Sequence, residues 1–198
     1  IGDGNRASVF QADLSQAEAC VQLVEQVEQT LGPISILVNS AALYVRQDFV
    51  ETSTATLDSQ WALNVRAPFL LSQAVARRML TRQGPRDIVN ILDIGGTRNV
   101  WRHYSAYTMT KAALAMLTQS LALELAPHIR VNGVAPGTVL PPVELGEATL
   151  TQLQQRIPQG RFGAPDDIVQ AVGFMLTGPS FMTGQIVAID GGRSLAGA

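Results

Sequence analysis

Tyr107 and Lys111 stand four residues apart in the segment YSAYTMTKAA, residues 104–113. On a helix that spacing puts both side chains on one face. An ammonium beside a phenol favours the phenolate. It lowers the phenol's pKa from its ordinary value of about 10, which suits proton transfer. The pair taken alone also fits an amphipathic helix with a core tyrosine and a surface lysine. Its surroundings favour chemistry. The run DIVNIL (87–92) reads as a buried strand, and a carboxylate, Asp93, stands at its tip before the turn Ile94-Gly95-Gly96. A third polar group, Asn64, lies amid mostly apolar neighbours in WALNVRAPF (61–69), and a buried amide needs partners.

These side chains must be held by elements that the hydrophobic pattern outlines. ASVFQADL (7–14) reads as a short strand. Ala19, Cys20, Leu23, Val24, Val27 and Leu31 mark one face of a helix over 16–31, stopped by Gly32-Pro33. ISILVNSAA (34–42) is a second strand, and a long helical pattern covers about 54–83. DIVNILD (87–93) is a third strand. The apolar helix over 105–126 ends at Pro127. IRVNGVAPG (129–137) is a fourth strand. Residues 138–160 read as irregular, with a helix near 149–156. A helix from Pro165 to about 176 and the strand QIVAIDGG (185–192) complete the chain. Apolar strands alternating with helices predict a parallel sheet covered on both faces. Ligands of such sheets bind at the carboxyl ends of the strands. Those ends are Asp13-Leu14, Asn39-Ser40-Ala41-Ala42, Asp93 to Gly96 and Pro136-Gly137. They are small, glycine-containing and sparsely polar, as a flat cofactor requires.

Composition narrows the classes. The 198 residues are 46% hydrophobic with a formal net charge of −2, which suits one domain and leaves no electrostatic footprint for nucleic acid. No apolar run approaches the ~18 residues of a membrane span. The first residues do not read as a signal peptide. The single Cys20 excludes an internal disulfide framework, reads as a packed thiol and fits a cytoplasmic setting. His103 and His128 read as polar loop residues, because Tyr107 already fills the acid role. The apolar residues Met109, Leu114, Met116, Leu117, Leu121 and Leu125 read as core or subunit interface.

Together these motifs resemble the short-chain dehydrogenase/reductase family from about residue 8 to the C-terminus. QADLS resembles the segment whose aspartate contacts adenine, here Asp13, with Leu14 beside it. LVNSAA resembles the family's Asn-Asn-Ala-Gly turn, with Ser40 and Ala42 as departures, so Asn39, Ser40 and Ala41 are expected against the cofactor. Asn64 matches the helix asparagine that supports a relay water. Tyr107 and Lys111 match the catalytic pair, with Lys111 also on the ribose. APG (135–137) matches the turn beside the nicotinamide, which implicates Pro136 and Gly137. TGQIVAIDGG (183–192) matches the last strand. The resemblance implies an α/β, doubly wound, mostly parallel Rossmann-like domain, an NAD(P)-dependent oxidoreductase and a homotetramer. The family's opening strand, Thr-Gly-x-x-x-Gly-x-Gly loop, helix and second strand have no match. Residues 1–198 are therefore expected to form one domain without its first βαβ unit. That unit holds the phosphates and discriminates NAD from NADP.

Most members of the family carry serine where this chain has Asp93. An ionised carboxylate only accepts hydrogen bonds, which suits a substrate edge rich in N–H donors or one that needs a further acid. The pteridine reductase branch, with the dihydromonapterin reductases, resembles the chain in this respect. It implies that Tyr44 sandwiches the ring, that Tyr104 lines the pocket and that DGGRSL (190–195) forms the C-terminal segment. From the residues alone, Tyr44 is either a stacking residue or a loop-surface aromatic, and Trp101 either lines the pocket or packs. The segment between Asp93 and Tyr107 is one residue longer than in close relatives, so the loop with Trp101 and His103 is expected to differ. The implied function is an NADPH-dependent reductase, with NADH as the alternative, acting on a pteridine or dihydrofolate-like ring. Tyr107 is the proton donor, and Asp93 is anchor and acid. The rivals are a carbonyl reductase, such as a 3-oxoacyl-thioester reductase, and a non-catalytic cofactor-binding protein.

Overall fold

The computed structural model describes residues 7–141 and 146–196. Its elements run α1 (Ala17–Leu31), β1 (Ile36–Asn39), α2 (Thr54–Trp61), a π turn (Ala62–Arg66), α3 (Ala67–Met79), β2 (Asp87–Ile91), the short α4 (Ile94–Thr97), α5 (Ser105–Glu124), β3 (Arg130–Pro136), α6 (Glu147–Gln155), α7 (Pro165–Thr177) and β4 (Ile186–Ile189). The strands form one parallel sheet in the order β1-β2-β3-β4. This is the expected α/β Rossmann-like class.

Successive strand side chains point to opposite faces. Ile88 and Val131 face one side and join Cys20 and Val24 of α1, Val75 and Met79 of α3, and Ala122 of α5. Val89 and Val134 face the other side and meet Met175 of α7. Ile88, Val131 and Val134 are fully buried, and burying each stabilises the fold by about 1.5–3 kcal/mol. Cys20 lies in this core, where burial pushes its thiol up and disfavours the reactive thiolate.

The asparagine inside strand β2 has a structural explanation. Asn90 Oδ1 accepts Asn39 Nδ2 of β1 at 2.8 Å, and Asn90 Nδ2 donates to Thr118 Oγ1 of α5 at 2.9 Å. Thr118 Oγ1 passes the chain on to Leu114 O at 2.8 Å. Asn39 Nδ2 also donates to Ser72 Oγ of α3 at 3.2 Å. A buried polar ladder thus links two strands and two helices just below the strand tips.

Several expectations need correction. Residues 7–14 form no strand: they pair with no described strand, and Val9 is exposed. A β-rich run without a ladder partner leaves its backbone groups to water. The long helix is interrupted by the π turn at Ala62–Arg66, and it ends at Met79. A single inserted residue leaves almost no trace in the hydrophobic period. The segment 138–160 contains α6, which begins two residues before the expected position, and its residues 142–145 lie outside the described part. No described strand covers the outer edge of β1, where Ile36 and Val38 are partly exposed. Among the described residues, no helix is long and apolar enough to cross a membrane.

Asn90→Ala should lower stability by about 2–4 kcal/mol, because it strands the Asn39 and Thr118 groups in the interior. Chemical denaturation of the variant against the wild type measures this.

Candidate active site

The end of β2 and the start of α5 build the site. Asp93 leaves the strand and caps the α4 turn, its Oδ1 accepting Gly95 N–H at 2.6 Å. Gly96 then takes φ 90°, and a Cβ there would meet Thr108 O at 2.3 Å and Ala112 N at 3.0 Å. The strand tip can sit on the backbone of α5 only because this residue is glycine. That contact sets the distance between Asp93 and the helix. Tyr107 OH donates to Asp93 Oδ2 at 2.8 Å. Lys111, one turn further along, donates from Nζ to Ile91 O at 3.0 Å and lies 5.7 Å from the centre of the Tyr107 ring. Tyr107 and Lys111 are both buried.

The electrostatics differ from the expectation that Lys111 pulls Tyr107 down. Burial raises the Tyr107 pKa, and the Asp93 carboxylate, which is nearer than the ammonium, raises it further. Burial also pushes Asp93 up to about 6, against the opposing pull of Gly95 N–H, Tyr107 OH and Lys111. Burial brings Lys111 down to about 8, with Asp93 opposing. Three desolvated groups thus share a small volume, and two of them titrate within about a unit of neutrality.

Asn64 sits in the π turn, fully buried. Its Oδ1 accepts Leu43 N–H at 2.7 Å, and its Nδ2 donates to Leu43 O at 2.9 Å and to Thr110 Oγ1 at 3.0 Å. Its side chain therefore grips the backbone just before Tyr44 and ties it to α5. Sequence reasoning missed Thr110, whose Oγ1 also donates to Tyr107 O at 2.7 Å. The available signal was its place on the helix, directly before Lys111 and three residues after Tyr107. Gly96 was read only as part of a small-residue turn.

The predicted aromatics gather beside Tyr107. Tyr44 stacks on Tyr104 at 4.5 Å and stands edge-on to Tyr107 at 4.7 Å and to Trp101 at 6.4 Å. Tyr44 is 49% exposed yet not an isolated surface ring, because Tyr104 occupies one of its faces. Leu14, Asn39, Ser40 and Ala41 line one cavity of about 360 Å3, whose other walls are apolar residues of α1, β1 and α3. Asn39 Oδ1 is buried there without a hydrogen-bond partner. Pro136 pairs with Ile189 across the sheet, and Gly137 lies so close to Asp190 that a Cβ would meet its Cα at 2.8 Å. Asp13 is exposed and accepts the Ser15 amide at 3.0 Å and its hydroxyl at 2.7 Å, which holds it below the usual carboxylate range.

Asp93 ionises near 3.8 when unfolded and near 6 in the fold. Between these values the folded chain keeps a proton that the unfolded chain releases, so stability falls as pH rises from about 4 to 6. Lys111, lowered from 10.5 to about 8, acts the other way, and stability recovers as pH rises above 8. Measured by thermal unfolding, Asp93→Asn should gain roughly 2–3 kcal/mol on the wild type between pH 4 and pH 7. Gly96→Ala should fold less stably by about 2 kcal/mol or more, because backbone atoms block its Cβ and its φ is positive. The same denaturation experiment reads that loss.

A profile of the family described as "Enoyl-(Acyl carrier protein) reductase" matches residues 2–194. The chain is 40% identical over 186 residues to the L-xylulose reductase of Bos taurus, which spans 87% of this chain and 75% of that protein. It is 34% identical to carbonyl reductase (NADPH) 2 of Sus scrofa, over 96% of this chain and 82% of that protein. Among solved structures, a 4-hydroxyisoleucine dehydrogenase complexed with NADH superposes with a TM-score of 0.85 at 30% identity, covering 94% of this chain and 80% of that one. With the parallel sheet and the Tyr107–Lys111 pair already in place, these matches show that the chain belongs to the short-chain dehydrogenase/reductase family of NAD(P)(H)-dependent oxidoreductases.

Proposed function

We propose that this chain is a carbonyl reductase that uses NADPH to reduce a small ketone, a hydroxylated ketone of the ketose kind being the first to test. The observation that carries this reading is the Tyr107 hydroxyl held 2.8 Å from Asp93, with Lys111 on the same helix face. The relatives' names, L-xylulose reductase and carbonyl reductase (NADPH), support a carbonyl substrate. The NADH complex of the structural neighbour keeps NADH as the alternative cofactor.

The residues present fit the nicotinamide-ribose half of a dinucleotide. Lys111 is buried, and one of its three N–H groups is engaged by Ile91 O, which leaves donors for ribose hydroxyls. Asn39 Oδ1 offers an unused acceptor at the tip of β1. When bound, the dinucleotide supplies the hydride. The phosphate half fits the βαβ unit expected from the sequence, and the uncovered edge of β1 with its apolar cavity suits such a unit. The exposed apolar residues Phe69 of α3 and Met116 and Leu123 of α5 suit a homotetramer. A cytoplasmic setting accords with the single buried thiol.

Tyr107 gives its proton to the substrate oxygen as the carbonyl carbon accepts hydride. To do so it turns from Asp93 Oδ2 to the substrate. A protonated Asp93 then donates a hydrogen bond to the same region, whereas an ionised one opposes the developing alkoxide. Lys111 faces Tyr107 and stabilises the phenolate left behind. Asn64 holds Leu43 and Thr110, so a relay water would use its main-chain groups. Asp93 near 6 and Lys111 near 8 bracket the pH at which protons must return to Tyr107.

A pteridine or dihydrofolate-like substrate is the second reading. Asp93 alone favours it, as an acid beside Tyr107 where the family usually has serine. A ring seated between Tyr44 and the nicotinamide would need the face of Tyr44 not stacked on Tyr104.

The test is NADPH oxidation by the full-length protein with ketoses, simple ketones and dihydropterins. Turnover of ketones with none of pterins is the expected result, and the converse overturns the carbonyl reading. Tyr107→Phe should lower kcat by about 10²–10⁴-fold. In the wild type, ketone-reduction kcat/KM should fall as pH rises through about 6, and Asp93→Asn should remove that limb. A pH profile of both proteins checks this.

A further inference from the structure

Two loops leave the carboxyl ends of neighbouring strands and meet above Tyr107. The β1–α2 loop carries Tyr44, Gln47 and Asp48, and the β2–α5 loop carries Trp101, His103 and Tyr104. Each is anchored at its base: the first by Asn64 on Leu43, the second by Asp93 on Gly95. Away from those anchors they are joined to each other. Gln47 N–H donates to His103 O at 2.8 Å, and His103 Nδ1 meets Asp48 Oδ1. Asp48 is itself held in place, since its carbonyl accepts Glu51 N–H at 3.0 Å and Thr52 Oγ1 at 2.9 Å. His103 has φ 71°, a left-handed backbone that a non-glycine residue keeps only where its surroundings impose it. This junction lies within three residues of Trp101 and Tyr104 on one loop and four residues after Tyr44 on the other.

We infer that Asp48 and His103 are positioning residues that clasp the two loops and so hold Tyr44, Trp101 and Tyr104 as an aromatic wall selecting which carbonyl compounds reach Tyr107. The inference rests on the carbonyl-reductase reading for its substrate and on the loop geometry for its mechanism. A carbonyl that takes the Tyr107 proton brings its neighbouring atoms against Tyr44, whose ring stands edge-on 4.7 Å away. A flank that is flat or rich in C–H gains contact with the wall. A ketone with only methyl flanks scarcely reaches it. The clasp therefore matters in proportion to the size of the flank. It acts on binding, because neither clasp residue reaches the reacting oxygen.

The test compares acetone with a phenyl ketone, both reduced by the full-length protein with NADPH. In Asp48→Ala and in His103→Gly, which also removes the backbone strain, KM for the phenyl ketone should rise about fivefold with kcat within about twofold. KM for acetone should stay within about twofold. Asp48→Asn keeps an acceptor for the imidazole and should recover most of the wild-type KM. Equal shifts for both ketones, no shift for either, or no recovery in Asp48→Asn overturn the clasp. A wild-type chain that reduces neither ketone overturns the substrate reading and leaves the clasp to near-ultraviolet circular dichroism. There the coupled Tyr44–Tyr104–Trp101 rings should lose signal in Asp48→Ala with the far-ultraviolet spectrum unchanged. Retention of the ring signal overturns the clasp.

Discussion

The hydrogen bond from Tyr107 to Asp93 is the constraint around which the molecule is arranged. It joins a buried phenol on a helix to a partly buried carboxyl at a strand tip. A desolvated carboxylate and a desolvated phenol tolerate each other only when one supplies a proton to the other. The Gly96 contact with the α5 backbone brings them within reach, and Lys111 supplies the compensating charge from the same face. If either support shifts, Asp93 becomes a charge buried without its partner.

Below this pair, the molecule is held together by polar groups placed inside an apolar frame. The Asn39–Asn90–Thr118 ladder ties β1 and β2 to α5, so the helix that carries Tyr107 is fixed to the strands whose ends form the crevice. Asn64 and Thr110 do the same between the π turn and α5. Hydrogen-bonded buried amides resist sliding more than packed methyl groups do, because any shift leaves further donors and acceptors unpaired. The apolar clusters on the two sheet faces supply the stability, and these bridges supply the register.

Above the pair, order comes from the loops themselves. Tyr44, Trp101 and Tyr104 meet although they come from segments more than fifty residues apart. The β2–α5 loop rests on the core through Leu92, Ile94 and Trp101, whereas the stretch carrying His103 and the facing β1–α2 loop add no buried apolar side chain, so contacts between the two offset the entropy of ordering them.

The amino-acid sequence by itself determined the alternation of strands and helices, the parallel sheet, the Tyr107–Lys111 pair and the place of Asp93 at a strand end. These follow from local periodicity and from i,i+4 spacing, which depend on near neighbours along the chain. Only the tertiary structure decided what those groups do to one another. The i,i+4 spacing alone predicts that Lys111 lowers the Tyr107 pKa, but burial and the hydrogen-bonded Asp93 raise it, because the distances among the three are set by folding. The π turn, the partners of Asn64, the role of Thr110 and the meeting of Asp48 with His103 also lay beyond the sequence. Each depends on which distant segment comes to rest against it, and the stretch at 7–14 shows the converse: strand propensity without a neighbouring strand makes no sheet. At Asp93 the sequence placed the carboxyl at the crevice mouth, and the fold set the phenol against it and the desolvation that raises its pKa.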